Sequence, residues 1–453
     1  MNTDLTEGSS RRVLWAFSIP MLLSVVFQQL YNIVDSVIAG RFIGEDALAA
    51  VGASYPITMI YMAVAVGSSI GCAVVVSTLF GSRHYGRLKT AVCTIFFASA
   101  GCSLLISVSG LWQGDSMLRL ILTPDNIFRD ASLYLRIYTL GFVFLFLYNV
   151  CTGIFTALGD SRTPLYFLIG SSLGNIALDI FFVIVLKKGV AGVAWATLLA
   201  QGAASLLALL SLLHRLAQLK TTEPYRIFSL HTLGRVAVVA IPSILQHCFV
   251  SVGNLFIQSL VNSFGSAVIA GYSAAIKLNT FSVTCMTTLS NGLSSFTAQN
   301  LGARKKERVQ EGFRAGVLLG ALVCVPFILL YFFFSSFSAG LFLKAGESPA
   351  ALQASMTFLR TVAPFYIIVM VKVMCDGVLR GGSAMLYFMA TTFTDLLLRV
   401  LLAFLFAKGM RMGAAGIWLS WPFGWTLSTL LSYAFYRHKP WEKHTAEIPS
   451  QKE

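Results

Sequence analysis

Long hydrophobic runs that contain almost no charge follow one another along the whole chain, separated by short polar segments. A helix on the surface of a soluble protein keeps one polar face, whereas these runs are apolar on every face. A run of about 18 or more apolar residues is long enough to cross a membrane as a helix. The pattern predicts twelve spanning helices, at residues 13–39, 47–79, 90–111, 131–158, 165–186, 190–213, 233–262, 267–298, 309–341, 350–379, 385–406 and 413–436.

The composition agrees with this pattern. Of the 453 residues, 56% are hydrophobic and 11% are charged, which is too little charge to cover the surface of a soluble protein of this size. The first apolar run begins near Val13 and lacks a small-residue cleavage pattern, so we expect a spanning helix there and not a signal peptide. The fold class predicted is therefore an all-α integral membrane protein.

The net charge of +14 comes from basic residues that lie in short clusters between the apolar runs. Nucleic-acid binding is not expected, because aromatic residues do not alternate with the clusters. Lys and Arg accumulate on the cytoplasmic side of membrane proteins, and here they accumulate in the loops on the side of the N-terminus. We therefore predict that both termini are cytoplasmic, and the absence of an N-x-S/T sequon favours a bacterial plasma (inner) membrane.

An internal repeat at an offset of about 221 residues organises the chain into two halves. The matched segments are Ile19-Pro20 with Ile241-Pro242, Gly81-Ser82-Arg83 with Gly302-Ala303-Arg304, and Gly159-Asp160-Ser161 with Gly381-Gly382-Ser383. Each half has an even number of helices, so the two share one orientation and are related by a pseudo-twofold axis along the membrane normal. We predict an N-lobe at 1–219, a cytoplasmic linker at 220–235 and a C-lobe at 236–453.

Ionisable side chains inside the apolar runs are costly, at least about 2.5–3.5 kcal/mol each, so each needs a partner or a function. Those placed well inside the predicted helices form a short list: Asp35, Asp179, Lys277, Lys372, Asp376, Asp395 and Arg399.

The two carboxylates of the first half have oxygen-bearing neighbours. Asp179 lies one helical turn after Asn175, so both side chains project from the same face of their helix. Asp35 is preceded by the polar residues Gln28, Tyr31 and Asn32, and neutral oxygens are available from Asn149 and Thr197. Such a set could bind Na⁺ through Asp35, Asn175 and Asp179, or could bind protons; a polar network that only joins helices is equally compatible with the residues.

The second half has a different set. Asp395 and Arg399 are one turn apart, and a structural ion pair is the favoured interpretation. Lys277 and Lys372 either extend toward the membrane surface or pair with Asp376.

Signals for an enzyme are weak. The segment Gly67-Ser68-Ser69-Ile70-Gly71 matches a hydrolase pattern, but it lies within an apolar helix, where two glycines four residues apart favour close helix packing. The sequence contains neither a P-loop nor an H-E-x-x-H motif, and its eight cysteines form no Cys-x-x-Cys pair. We expect no enzymatic activity and no cofactor other than the coupling ion.

Several motifs resemble those of the multidrug and toxic compound extrusion (MATE) transporters, in their bacterial branch. These are Gln28-Gln-Leu-Tyr-Asn-Ile-Val-Asp35, Gly40-Arg-Phe-Ile-Gly44, Ala298-Gln-Asn-Leu-Gly-Ala-Arg304, Gly159-Asp-Ser-Arg-Thr-Pro164 and Leu379-Arg-Gly-Gly-Ser383. The resemblance runs along nearly the whole chain. It implies two six-helix lobes and the export of cationic, lipophilic compounds, driven by Na⁺ or H⁺ entry.

The resemblance also implies roles for single residues. The N-lobe cation site of the family corresponds to Asp35, Asn175, Asp179 and Thr197. Where some relatives carry a glutamate in the seventh helix, this chain has Ile257 and the possible lining residue Gln258, so the resemblance does not carry over a cation site in the C-lobe. Asp376 could take part of that role, although no matching motif accompanies it. The predicted protein is a monomer in the lipid bilayer that binds small organic cations; a flippase for a lipid-linked oligosaccharide is the alternative.

Overall fold

The computed structural model describes residues 4–42, 45–343 and 349–442, except for the side chains at 33, 35–41 and 45–48. Over these ranges the chain forms helices, turns and irregular loops, without a β-strand. The helices are α1 (Ser10–Phe42), α2 (Glu45–Gly81), α3 (Tyr85–Leu120), α4 (Asp125–Ala157), α5 (Arg162–Asp179), α6 (Gly189–Gln218), α7 (Leu230–Asn262), α8 (Ser266–Gly302), α9 (Lys306–Phe333), α10 (Ser335–Gly340), α11 (Pro349–Val362), α12 (Tyr366–Gly381), α13 (Met385–Phe404) and α14 (Ala414–His438).

Twelve long helical segments result when the six-residue α10 is set aside and α11 and α12 are counted as one interrupted helix. Among the described residues, ten of these segments are apolar and long enough to span a membrane. The other two, α8 and α14, have 37 and 25 residues and are not among these ten. The predicted all-α architecture of twelve helices in two halves is confirmed.

Two of the predicted spans are interrupted. The span predicted at 309–341 breaks at Phe334, between α9 and α10. The span predicted at 350–379 contains a 3₁₀ turn, Ala363–Phe365, between α11 and α12. Pro364 explains the second break, because proline has no N–H to donate to the helix. Pro20 and Pro242, in contrast, lie inside α1 and α7, which stay helical around them.

The described helices form two compact units whose bounds differ from the predicted lobes. Unit 1 comprises Met1–Asp4 and Ile19–Leu245, and unit 2 comprises Leu5–Ser18 and Gln246–Glu453. The start of α1 thus belongs to unit 2, and the start of α7 belongs to unit 1. Each helix changes unit within four residues of its proline, a position that the lobes predicted at 1–219 and 236–453 did not anticipate.

Close packing fixes the first part of α7 within unit 1. A Cβ atom added to Gly67 would lie 2.6 Å from Ile244, and one added to Gly71 would lie 2.6 Å from the Cβ of Ala240. The two glycines of α2 therefore let the backbone of α7 approach closely, and the packing interpretation of this motif is confirmed.

The loops after α2 and α8 are conformational copies of each other. Arg83 and Arg304 both adopt a left-handed backbone, with φ of 59° and 61°. The amide of Arg83 donates to the carbonyl of Phe80 at 3.1 Å, and that of Arg304 donates to Leu301 at 3.0 Å. The repeat predicted at an offset of 221 is therefore present in the backbone.

The loops after α4 and α12 also correspond, but the residues that match in structure are not those matched in the predicted repeat. The left-handed residue is Gly159 in unit 1 and Ser383 in unit 2, with φ of 76° and 56°. The following amides, of Asp160 and Ala384, donate five residues back at 2.9 and 2.8 Å. The structural offset at this point is 224 residues, three more than at Arg83 and Arg304, so unit 2 has three more residues than unit 1 between these two loops.

Corresponding helix crossings hold each unit together. In unit 1 the hydroxyl of Ser69 on α2 donates to the carbonyl of Asn149 on α4 at 2.6 Å, and a Cβ added to Gly153 would lie 2.7 Å from the Ser69 carbonyl oxygen. In unit 2 Ser290 on α8 donates to Val373 on α12, and Gly377 makes the same close approach.

The linker between the halves lies along α3 of unit 1. It is irregular from 219 to 229, and the remainder of the predicted linker at 220–235 belongs to α7. The amide of Arg226 donates to Thr90 Oγ1 at 2.9 Å, and that of Ser229 donates to Thr94 Oγ1 at 3.0 Å. The backbone of the linker is thus tied to one face of α3.

The N-terminal segment of unit 2 is held in a related way against the end of α8 and the start of α9. Arg308 donates to the carbonyl of Gly8 at 2.7 Å, and Asn300 Nδ2 donates to the carbonyl of Leu5 at 3.1 Å. The amide of Leu5 donates to Gln299 Oε1 at 3.2 Å. Leu5 is fully buried, so the segment that begins at Leu5 is packed within unit 2.

Candidate functional site

Unit 1 contains a buried polar cluster where α5 meets α6. Asp179 is fully buried and Asn175 is 3% exposed. Asn175 donates from its amide nitrogen to Asp179 Oδ2 at 2.8 Å, and its oxygen accepts from the backbone N–H of Thr197 at 3.0 Å. This orientation of the amide is assigned from its neighbours, because a nitrogen must face the carboxylate.

The hydroxyl of Thr197 also faces the cluster. Its Oγ1 lies 3.3 Å from the same end of the Asn175 amide and donates to the carbonyl of Val193, one turn earlier in α6, at 3.0 Å. The predicted residues Asn175, Asp179 and Thr197 are therefore brought together by two helices.

Helix α1 contributes a fourth group to this cluster. The Oη atom of Tyr31 accepts from the Asn175 amide nitrogen at 3.2 Å. Asp35 lies in α1 one helical turn after Tyr31, but its side chain is outside the described part of the structure. The predicted contribution of Asp35 to this site therefore stays a prediction.

A π-helical turn, Ile180–Val185, begins directly after Asp179. Short π segments inside helices are rare and frequently occur at functional sites. Unit 2 has a π turn at the corresponding place, Leu405–Gly409, but the residue before it is Phe404. The two units therefore share this backbone feature, and only unit 1 has a carboxylate at its start.

Three other predicted residues of the first half contact different groups or face outward. Asn149 donates from Nδ2 to the carbonyl of Leu145, one turn earlier in its own helix, at 2.8 Å. Gln28 and Asn32 are exposed on α1.

A small cavity lies beside the cluster, between α4 and α6. Thr197 is at its wall, and its other lining residues are Tyr134, Tyr138, Gly141, Leu145, Ala194, Leu198 and Gln201. The lining is aromatic and aliphatic with few polar groups, which is the usual character of a site for a small, largely apolar molecule.

Unit 2 contains a second buried carboxylate, with a different set of partners. Asp376 Oδ2 accepts from Lys372 Nζ at 2.8 Å, within α12. Its Oδ1 accepts from the hydroxyls of Thr391 on α13 and Ser432 on α14, both at 3.0 Å. The side chains of Lys372 and Asp376 are only 6% and 5% exposed. Of the two alternatives considered for Lys372, the structure shows the pairing with Asp376.

The ion pair predicted between Asp395 and Arg399 is not formed. Within the described residues their charged atoms do not come within 4.0 Å, although the residues are one turn apart on α13. The Arg399 guanidinium instead stacks over the Trp421 ring of α14, 4.4 Å from its centroid. The spacing was right for a pair, but the neighbouring helix supplied a large aromatic face that the local sequence could not show.

The remaining residues predicted for the second half have local contacts. Gln258 donates to Asn262, one turn later in α7, at 2.8 Å. Lys277 is exposed on α8, and its ammonium lies 5.9 Å from the centroid of the Phe342 ring. Neither contact involves Asp376.

The comparison with protein families is decisive at this point. The model of the family MatE matches residues 20–181 and again residues 242–405, so one model describes both halves of the chain. The chain belongs to the MatE family. MatE proteins are the MATE transporters, and the chain is accordingly a multi-pass membrane transporter and not an enzyme.

Relatives of known name match between 71% and 97% of the chain. The probable multidrug resistance protein YoeA of Bacillus subtilis is 26% identical over 450 residues, which are 97% of this chain and 96% of YoeA. The FAD transporter of Shewanella oneidensis is 25% identical over 332 residues, covering 71% of this chain and 70% of that protein.

Solved structures share the fold. A transporter of the MOP superfamily from Pyrococcus furiosus, described as having a binding pocket of reverse polarity, superimposes with a TM-score of 0.91 at 22% identity, covering 97% of both chains. A MATE structure in the straight conformation gives a TM-score of 0.90 at 22% identity, covering 98% of both chains.

One buried residue of this MatE chain was not predicted as part of a site. Arg380 is 5% exposed at the end of α12 and donates to Asn291 Oδ1 at 2.9 Å and Ser290 Oγ at 3.2 Å. In the sequence it stands next to two glycines at the end of an apolar run, which is typical of a solvated helix end. Only the packing of α8 against α12 shows that the guanidinium is inside unit 2.

Proposed function

We propose that this MATE transporter exports organic cations in exchange for Na⁺ or H⁺, and that Asp179 is one of the groups that bind the coupling ion. The observation that carries the proposal is the cluster of Asp179, Asn175, Thr197 and Tyr31. It assembles a fully buried carboxylate, an amide and two hydroxyls from three helices.

This set of groups suits either coupling ion. Hard cations prefer several oxygen ligands with one or two negative charges, which the carboxylate, the amide and the hydroxyls can supply. A carboxylate that is buried away from water can bind a proton instead. The same residues would hold Na⁺, and Asp35 would supply a second carboxylate one turn after Tyr31.

Ion binding could be coupled to transport through α1. Tyr31 links α1 to the Asn175 amide, and Pro20 lies three turns earlier, at a point where the helix lacks one backbone hydrogen bond. A change of charge at the cluster would alter the packing of α1, which is the helix that changes unit next to this proline. We propose that this change releases the exported compound.

The names of relatives support multidrug export, since YoeA is a probable multidrug resistance protein. The flippase alternative would favour a cavity rich in Arg and Lys for a large anionic substrate. The buried cations of unit 2 are engaged internally: Lys372 by Asp376, Arg380 by Asn291 and Arg399 by the Trp421 ring. Cation export is therefore favoured over the flippase.

The proposal is tested with the purified full-length protein in lipid vesicles. Ethidium efflux is measured with a Na⁺ gradient and a pH gradient imposed separately, in wild type and in Asp35→Asn. We expect one gradient to drive efflux in the wild type and the variant to lose that dependence. Efflux by Asp35→Asn with normal gradient dependence would contradict the mechanism, and absence of efflux in the wild type under either gradient would favour the flippase.

The location of the protein also stays a proposal. Both termini are proposed to be cytoplasmic in the plasma membrane of a bacterium, on the basis of the basic loops such as 304–308. The eight native cysteines are replaced, and a single cysteine is introduced at an exposed position of the linker, such as Thr222. Labelling of this cysteine with a membrane-impermeant reagent on intact cells tests the orientation, and labelling without cell lysis would contradict it.

A further inference from the structure

Asp376 is surrounded like a carboxylate that binds a cation, and the cation beside it is the ammonium of Lys372. Its two oxygens accept from one ammonium and two hydroxyls, and these donors come from α12, α13 and α14. Each donor lies within 3.0 Å. The carboxylate is 5% exposed, so a mobile ion could reach it only by displacing Lys372.

Charges on the neighbouring helix also act on the ammonium. Asp395 on α13 attracts the Lys372 charge, and Arg399, one turn later, repels it. Asp395 Oδ1 is buried, and within the described residues it has no hydrogen-bond partner. Within the described residues the ammonium of Lys372 pairs with Asp376 alone, and the charge of Asp395 acts on it from a greater distance.

The geometry points to an internal cation site in unit 2, filled by the ammonium of Lys372 in place of a coupling ion. This inference deepens the proposed function and rests on it, because it assumes that transport is driven by a coupling ion. It states that unit 2 binds no coupling ion and that Asp376 neither binds nor releases one during transport. Removal of the ammonium opens the site to a monovalent cation or a proton, because the buried carboxylate of Asp376 and its two hydroxyl partners then remain without the positive charge that they contact.

The first test replaces both members of the pair with neutral residues of similar size. The variant Lys372→Met/Asp376→Asn is reconstituted, and its ethidium efflux is measured under the same separate Na⁺ and pH gradients. Neutral replacement of a complete buried ion pair is often tolerated, so we expect efflux within about twofold of wild type, with unchanged gradient dependence. Loss of gradient dependence in a variant that still binds ethidium would overturn the inference.

The second test looks for the opened site directly, by binding and not by transport. Thermal unfolding of the purified protein in detergent is followed with increasing NaCl, with choline chloride as the control for ionic strength, and with decreasing pH. In an Asp179→Asn background, which removes the proposed unit 1 site, Lys372→Met should gain stabilisation by Na⁺ or by low pH. Adding Asp376→Asn to that variant should abolish the gain.

One further variant, together with the double variant of the first test, keeps the second test decisive. Lys372→Arg retains a positive charge and should show no new dependence on Na⁺ or pH. If Lys372→Met cannot be purified folded, the double variant of the first test still decides, since it has no unpaired charge at this position. Equal responses of Asp179→Asn with and without Lys372→Met would overturn the inference.

The outcomes separate this inference from the proposed function. If wild type shows no ion-driven efflux, the proposed function fails, while the binding responses of the Lys372 variants still report on the internal site. If wild type transports and Lys372→Met/Asp376→Asn loses coupling, the proposed function stands and the internal site is wrong.

Discussion

The two units share a backbone plan and differ in the chemistry of their buried carboxylates. In unit 1 Asp179 accepts from the neutral amide of Asn175, at the start of a π turn. In unit 2 Asp376 accepts from the ammonium of Lys372, on a different helix of the repeat, and the corresponding π turn follows Phe404. The loops and helix crossings of the repeat are preserved although the charged groups have been relocated.

This difference shows which part of the repeat is constrained by folding. The crossings at Gly153 and Gly377 and the left-handed loops at Arg83 and Arg304 are needed for two helices to pack and for a chain to turn, so they occur in both units. A buried charge needs only a local set of partners. It can be gained, lost or neutralised in one unit without altering the other.

The largest expected effect comes from removing the ammonium of unit 2 alone. Lys372→Met leaves Asp376 buried without its counter-ion and should destabilise the protein by roughly 3–5 kcal/mol. The measurement is the free energy of unfolding in detergent. Lys372→Met/Asp376→Asn is the matched control and should fall within about 1 kcal/mol of wild type. If Lys372→Met were as stable as Lys372→Met/Asp376→Asn, the ammonium of Lys372 would not be needed to neutralise the buried carboxylate of Asp376.

The next effect is expected at the carboxylate of unit 1. Asp179→Asn keeps the size of the side chain and removes the charge, so affinity for the coupling ion should fall by roughly a hundredfold, or about 2.7 kcal/mol. The ion dependence of efflux in vesicles is the measurement. Asp115→Asn is the control, since Asp115 is 40% exposed in a pair with Arg136. If efflux by Asp179→Asn and efflux by Asp115→Asn depended equally on the ion, Asp179 would not bind the coupling ion. The proposed difference between the carboxylates of the two units would then be lost.

The equivalence of the helix crossings is tested with two alanine substitutions. In Gly153→Ala and Gly377→Ala the added Cβ would lie 2.7 Å from the carbonyl oxygen of Ser69 or Ser290, so each should destabilise by about 1–3 kcal/mol. Thermal unfolding measures both. Gly101→Ala is the control, because an added Cβ there meets no atom within 4 Å. Strongly unequal effects would mean that the crossings are not equivalent.

The smallest effect is expected where the linker is fixed to α3. Thr90→Val removes the oxygen that accepts from the Arg226 amide and should weaken this attachment by about 0.5–1.5 kcal/mol. Faster cleavage of the linker by trypsin, compared with wild type, is the measurement. Thr78→Val is the control, because that hydroxyl donates only within its own helix, to Val74 at 2.9 Å. Equal cleavage of the two variants would contradict the role of Thr90.

Much of the fold could be predicted because lipid imposes it. Apolar length predicted the helices, and the matched prolines and glycine-basic loops predicted two halves. The bounds of the units could not be predicted in this way. Whether the first turns of α1 and α7 pack in unit 1 or unit 2 depends on distant contacts, such as Trp15 Nε1 donating to the carbonyl of Ala315 at 3.0 Å.

The candidate site was partly predictable for a similar reason. Asn175 and Asp179 are one turn apart on one helix, so their proximity follows from helical geometry. The same argument failed for Asp395 and Arg399, because the competing partner, Trp421, is on another helix. Spacing along one helix shows which side chains can meet, and packing between helices decides which of them do.

The sequence by itself therefore determined the helical membrane architecture, the repeat and the pairing of Asn175 with Asp179, since each depends on local length, period or spacing. Only the tertiary structure decided that α1 and α7 each belong to both units, that Tyr31 reaches Asn175, and that Asp376 already has a cation. These features depend on contacts between segments far apart in the chain. The physical reason is that a buried polar group takes its partner from whichever helix packs against it.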